Sequence, residues 1–108
     1  MLSVDSFPDK KMLSPLKLFT IIADEALEDK LIKELEQLDI KGYTISHVSG
    51  KGLAARKESA WEGQNVRIET IITDKKADRL MELLSVRYFE RFSVIAFVSA
   101  VEVFRRSK

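Results

Sequence analysis

The sequence contains no cysteine, one histidine, two prolines and four glycines in 108 residues. Without cysteine there are no disulfides, no zinc–thiolate centres and no thiol chemistry. The single histidine, His47, forms no histidine-based metal cluster by itself. Neither sign of charge dominates: 18 Lys+Arg stand against 17 Asp+Glu, a net charge of +1. That balance gives no global case for nucleic acid or an anionic membrane as partner. No apolar run reaches the roughly 18–20 residues that span a bilayer. The longest, Val94 to Val103, is interrupted by Ser99 and Glu102. Residues 1–15 lack the long apolar centre of a signal peptide, so the expected compartment is the cytoplasm.

What remains is an ordinary globular composition, 45% hydrophobic, and a length that bounds the chain to one domain with a modest core. Residues 1–15 read as a flexible tail, because Ser3, Asp5, Ser6, Pro8, Asp9, Lys10 and Lys11 break any periodicity. Met1 and Met12 are both candidate starts. The folded domain is expected over residues 16–108.

Leu16 to Ala23 is apolar on both phases of a two-residue alternation and reads as a strand buried on both faces. Asp24 is a candidate helix cap, after which Leu27, Leu31, Leu35 and Leu38 follow helical spacing. Asp29–Lys33 and Lys30–Glu34 are spaced to pair on the solvent side. Gly42 ends this segment or begins the next strand. Tyr43 to Val48 and Val66 to Thr73 read as strands, and Ala77, Leu80, Met81, Leu84 and Tyr88 as the stripe of a second helix. Phe92 to Phe104 reads as a last strand, bent or broken near Ser99.

The order β-α-β-β-α-β predicts an α+β, ferredoxin-like sandwich: an antiparallel sheet with two helices on one face. The other face carries apolar residues of the first and last strands. Soluble monomers rarely expose such a surface, so a homo-oligomer is expected.

Candidate chemistry concentrates between the second and third strands. Loops longer than about 12–15 residues are uncommon and usually functional. Gly50, Lys51 and Gly52 can form a backbone nest for an anion, with Lys51, Arg56 and Lys57 as cationic donors; an ordinary turn with solvated charges is the alternative. Trp61 on the same loop is a candidate anchor for a protein partner, or folds back over the sheet. Glu69, a carboxylate within an apolar strand, calls for a partner if buried: Arg67 of a neighbour, or a ligand. His47 lacks the spacing of a catalytic triad and reads as a packed or interfacial histidine. The third strand has no stacking aromatics, which argues against RNA, and ligands for copper or zinc are missing.

Lys41-Gly42-Tyr43-Thr44, Gly50-Lys51-Gly52, Val66-Arg67-Ile68-Glu69 and Val86-Arg87-Tyr88-Phe89 occur in this order between Leu16 and Phe104. In them the chain resembles the PII signalling superfamily, especially its carbon-sensing branch of SbtB-type and carboxysome-associated proteins. The resemblance implies a homotrimer with an adenine nucleotide (AMP, ADP or cyclic AMP, with bicarbonate) in clefts between subunits. No metal is required. It also implies a T-loop, here about residues 51–65, that engages the cytoplasmic face of a membrane transporter, a bicarbonate transporter by analogy. The protein would then be cytoplasmic and peripheral to the membrane through that transporter.

By position the resemblance implies Thr44, Gly50, Lys51, Gly52 and Glu69 at the nucleotide, with Arg105 toward the phosphates and Arg56 as a looser match to a T-loop arginine of the SbtB type. Lys57 and Trp61 fall on the partner side. Phe89-Glu90-Arg91-Phe92 stands where ordinary PII proteins have a glycine-rich loop, which argues against tight recognition of ATP. The loop has no tyrosine to accept a uridylyl group. A ferredoxin-like domain binding another effector, such as an amino acid, and a slow nucleotide hydrolase are the alternatives.

Overall fold

The structure, a computed structural model, describes residues 10–12, 16–49 and 64–106. The elements are β1 (Lys10–Met12), β2 (Leu16–Asp24), α1 (Glu28–Gln37), β3 (Thr44–Val48), β4 (Asn65–Ile72), α2 (Asp74–Arg87), β5 (Val94–Val101) and β6 (Phe104–Arg106). A 3-10 turn, Glu25–Leu27, leads into α1. Four strands form one sheet in the order β3-β4-β2-β5, every neighbouring pair antiparallel. This is the ferredoxin-like βαββαβ arrangement.

Two differences from the sequence reading go beyond one or two residues at a strand's end. The last strand breaks at residues 102–103 rather than at Ser99, which pairs with Leu18 inside β5. The β5 ladder ends where its partner begins, at Leu16 opposite Val101. Lys10–Met12, inside the stretch read as a tail, forms a separate two-stranded ribbon with Phe104–Arg106.

The local signals act as their chemistry requires. The Asp24 side chain accepts a hydrogen bond from the Ala26 backbone at 2.8 Å and opens the helical segment. Thr73 does the same for α2, accepting from the Lys76 backbone at 3.3 Å. The chain leaves α1 at Asp39, with φ 60°, and not at Gly42. Aspartate tolerates this left-handed conformation better than most side chains. The Lys76 ammonium, 2.6 Å from the Asp39 carbonyl oxygen, fastens the turn to α2.

Both helices cover one face of the sheet. The core between them holds Phe19, Ile21 and Ala23 of β2, Val66 and Ile68 of β4, Leu31 and Leu35 of α1, and Leu80, Leu84 and Tyr88 in and beside α2. Cross-strand partners share a face, so the register names the residues on the uncovered side. Thr44, Glu69, Thr20 and Phe97 form one row across it; Ile71, Leu18 and Ser99 form the next. Ile71 and Phe97 are each 48% exposed. One edge of the sheet is β5, in which every residue except Ser99 is Val, Ile, Ala or Phe.

The predicted helix-surface pairs give way to longer-range contacts. Glu34 accepts from the Arg87 guanidinium and from the Tyr88 hydroxyl, both at 2.8 Å, rather than pairing with Lys30. Lys30 lies over the Phe92 ring, 5.4 Å from its centroid. Asp29 and Lys33 form no ion pair among the described residues. Glu34 is more covered than a surface pair would leave it, with a side chain only 13% exposed. Two partners converging there outweigh one solvated neighbour.

Candidate nucleotide cleft

The β3–β4 hairpin positions the candidate site. β3 is short and begins at Thr44, opposite Glu69. Beyond that point the edge of β4 continues without a β3 partner, through Thr70 and Ile71. The segment from Gly42 to Thr44 bends past this edge and leaves a cleft of about 440 Å³. Leu18, Gly42, Tyr43, Thr44, Glu69, Thr70 and Ile71 line it. The Thr70 hydroxyl donates to the Gly42 carbonyl oxygen and fixes the cleft wall. A Cβ built on Gly42 meets nothing within 4 Å, so the glycine leaves open space there.

Glu69 is the charged group at the cleft. Its side chain is 32% exposed, and its Oε1 lies 3.8 Å from Arg67 Nε of the same chain. A long, half-solvated pair of this kind holds the carboxylate only loosely, so it can accept from a ligand's N–H or hydroxyl groups.

The structure thus brings Thr44 and Glu69 together and places Arg105 in the ribbon, in register with Lys11. Gly50, Lys51, Gly52, Arg56, Lys57 and Trp61 lie outside the described residues. The two ends of their loop leave from neighbouring strands, at Val48 and its register partner Asn65. Sequence reasoning misses Gly42, Tyr43, Thr70 and Ile71 as residues of the site. Tyr43 and Thr70 are chain neighbours of Thr44 and Glu69, which is the signal that could have found them. The part Thr70 plays shows only through a partner 28 residues away.

Of the two readings of His47, packed or interfacial, the single chain corrects the first: its side chain is 61% exposed and its Nε2 lies 2.8 Å from Glu28 Oε1 at the start of α1. β3 is an edge strand and leaves this residue open to solvent.

A second cavity, about 300 Å³, lies between the start of α1 and the turn after α2, lined by Lys30, Val86, Arg87, Tyr88, Arg91 and Phe92. Tyr88 is 2% exposed, and burial together with its bond to Glu34 pushes its hydroxyl from 10.0 up to about 12. Among the described residues no cluster of three or more His, Asp or Glu could hold a metal ion. No helix there is long and apolar enough to cross a membrane.

Residues 16–108 match the family of nitrogen regulatory protein P-II. Among solved structures, the chain is similar to one from Thermus thermophilus assigned as a PII-like signaling protein. They share 42% identity over 86% of this chain and 92% of that one, with a TM-score of 0.73. It is similar to the apo form of CPII, a nitrogen regulatory PII-like protein from Thiomonas intermedia, at 25% identity. That match covers 89% of this chain and 98% of the other, with a TM-score of 0.74. CPII bound to ADP, AMP and bicarbonate matches at 29% identity, over 88% and 98% of the two chains, with a TM-score of 0.73.

Proposed function

Because this chain belongs to the nitrogen regulatory protein P-II family, we propose that it is a non-enzymatic sensor of adenine nucleotides, AMP, ADP or cyclic AMP, with bicarbonate as a second effector. The nucleotide sits with its base at the Thr44–Glu69 end of the β3–β4 hairpin and its phosphates toward the loop at the other end. The observation that carries this reading is the register of that hairpin. Val48 opposite Asn65 marks the loop end, and Thr44 opposite Glu69 lies four residues further down the ladder. Four residues of strand are about 13 Å, a distance that an extended nucleoside diphosphate spans.

Charge decides the orientation. Glu69 repels phosphate but accepts from an amino group or ribose hydroxyl. Gly50, Lys51 and Gly52, with Arg56 beyond them, supply the donors that phosphate needs. The nucleotide-bound CPII, at 29% identity, supports the same ligand class for this chain.

Three copies close their uncovered sheet faces against one another, and Arg105 serves the phosphates. The loop of residues 51–65 is the output. Ligand contacts at its base favour one arrangement over others, and a target with different affinities for them responds by population shift. Trp61 and Lys57 are the contacts to that target, taken to be the cytoplasmic face of a membrane transporter for bicarbonate.

The test is calorimetric titration of the purified protein with AMP, ADP, ATP and cyclic AMP, each with and without bicarbonate, and with amino acids as the competing class. Micromolar binding of AMP or ADP is expected, weakened more than tenfold by Gly52→Asp. Binding of an amino acid but no nucleotide overturns the proposal, as does sustained turnover of ATP by the purified protein.

A further inference from the structure

The second cavity takes its lining from α1, the end of α2 and the turn that follows, and shares no residue with the cleft beside the β3–β4 hairpin. Its aromatic wall is fixed by the backbone. The N–H groups of Arg91 and Phe92 both donate to the Tyr88 carbonyl oxygen, at 3.0 and 2.8 Å. This turn sets the Phe92 ring beside the Tyr88 ring, with centroids 5.7 Å apart and planes tilted by 40°, a separation at which aromatic rings attract. The Tyr88 hydroxyl is already taken by Glu34. The Lys30 ammonium reaches over the Phe92 ring from α1.

Charge is unbalanced around this cavity. Arg87 has Glu34 as its carboxylate. Lys30 and Arg91 form no ion pair among the described residues. Glu90, the chain neighbour of Arg91, is not part of the lining. Val86, on the last turn of α2, is 75% exposed although it is apolar. Two cations without a carboxylate, a pair of rings and a solvated aliphatic side chain thus surround one space. Water or an inorganic anion satisfies the cations and leaves the apolar lining wet. A ligand that joins an acid to a ring satisfies both.

We propose that this cavity binds a small aromatic carboxylate: Arg91 and Lys30 hold the acid, and Phe92, Tyr88 and Val86 pack against the ring. The planar fork of an arginine meets both oxygens of a carboxylate, and a lysine adds a point charge. The volume of about 300 Å³ lies at the lower end for small-molecule sites, which suits one ring with a short acid tail. The acid is held from α1 and from the turn after α2 at once. It therefore tightens two segments that the Lys30–Phe92 contact and the bonds to Glu34 already bring together. The site does not depend on the nucleotide cleft at Thr44 and Glu69.

The experiment titrates the full chain with phenylacetate, with its neutral counterpart phenylacetamide and with inorganic phosphate, following backbone amide shifts by NMR. Phenylacetate is expected to shift the amides of Lys30, Arg91 and Phe92 saturably, and phenylacetamide to bind about tenfold more weakly. Two variants at exposed positions separate the acid from the ring. Arg91→Gln is expected to weaken phenylacetate about tenfold and leave phenylacetamide unchanged. Val86→Ser is expected to weaken both by a similar factor, about threefold. Unaltered phenylacetate binding in the presence of saturating AMP supports a site separate from the nucleotide cleft. Displacement of phenylacetate by AMP or by inorganic phosphate overturns the proposal in favour of a phosphate site. Equal binding of the acid and the amide, wild-type phenylacetate affinity in Arg91→Gln, or no saturable shift at these three amides overturns it as well.

Discussion

The hydroxyl of Thr70 donates to the carbonyl oxygen of Gly42, joining β4 to the segment that precedes β3. This bond sets the wall of the 440 Å³ cleft, because both residues line it. Thr70→Val keeps the shape of the side chain and removes the donor. The expected cost is about 1 kcal/mol of stability, the net worth of one such bond. Urea unfolding of the variant measures it. Equal stability of the Val variant and the wild type would show that the bond does not hold the wall.

Glu69 tests the cleft from its chemical side. Its pairing with Arg67 is long and partly exposed, so Glu69→Ala leaves the fold intact. If the carboxylate accepts from the base or ribose, affinity for AMP and for adenosine falls together, by at least tenfold, or about 1.4 kcal/mol. Inorganic tripolyphosphate, which has neither group, binds the variant as it binds the wild type. A variant that keeps its adenosine affinity removes Glu69 from the site.

Much of the fold is legible because it rests on local periodicity. The stripe Ala77, Leu80, Leu84 and Tyr88 is buried as helical spacing requires. The alternation from Val66 to Ile72 places Val66, Ile68, Thr70 and Ile72 on the covered side. Long-range partners decide what periodicity misses. Glu34 looks like half of a surface pair with Lys30 until α2 brings Arg87 and Tyr88 to it, 53 and 54 residues along the chain. Gly42 reads as the end of the helical segment or the start of the next strand, whereas the helix turns off at Asp39, fastened by Lys76, and β3 begins at Thr44. Of the candidate site, Thr44 and Glu69 are named by position in the family resemblance, and the structure sets them opposite each other across one hairpin. The wall between them depends on a side chain reaching a carbonyl 28 residues distant, which no spacing rule supplies.

The uncovered sheet face predicts assembly. Leu18, Ile71 and Phe97 lie on it, and Ile71 and Phe97 are about half exposed in the single chain. Sedimentation at micromolar concentration is expected to give a trimer. Phe97→Glu places a charge on that face, on the edge strand β5, where burial without a partner costs several kcal/mol. The variant should sediment as a smaller species with its helical content preserved. A wild-type monomer would remove both the buried face and any cleft that needs a neighbouring subunit.

Tyr88 makes stability depend on pH in the alkaline range. Its hydroxyl, buried and bonded to Glu34 at 2.8 Å, is pushed from 10.0 to about 12 in the folded chain. Burial is the first cause, since it penalises the phenolate; the Glu34 bond and charge add to it, and Arg87 opposes them. The unfolded chain loses this proton near pH 10 and the folded chain only near pH 12. Below that window both states hold the proton and the contribution is complete. Within it the unfolded state releases the proton first, so folding stability falls as pH rises. A shift of this size corresponds to about 3 kcal/mol. Tyr88→Phe abolishes the ionisation and also the bond to Glu34. The variant is therefore less stable at neutral pH, while its stability declines less steeply across the alkaline window. Urea midpoints of the two proteins over that interval separate the effect from lysine titration, which both share. Parallel declines would show that the buried hydroxyl does not govern the alkaline limit of the fold.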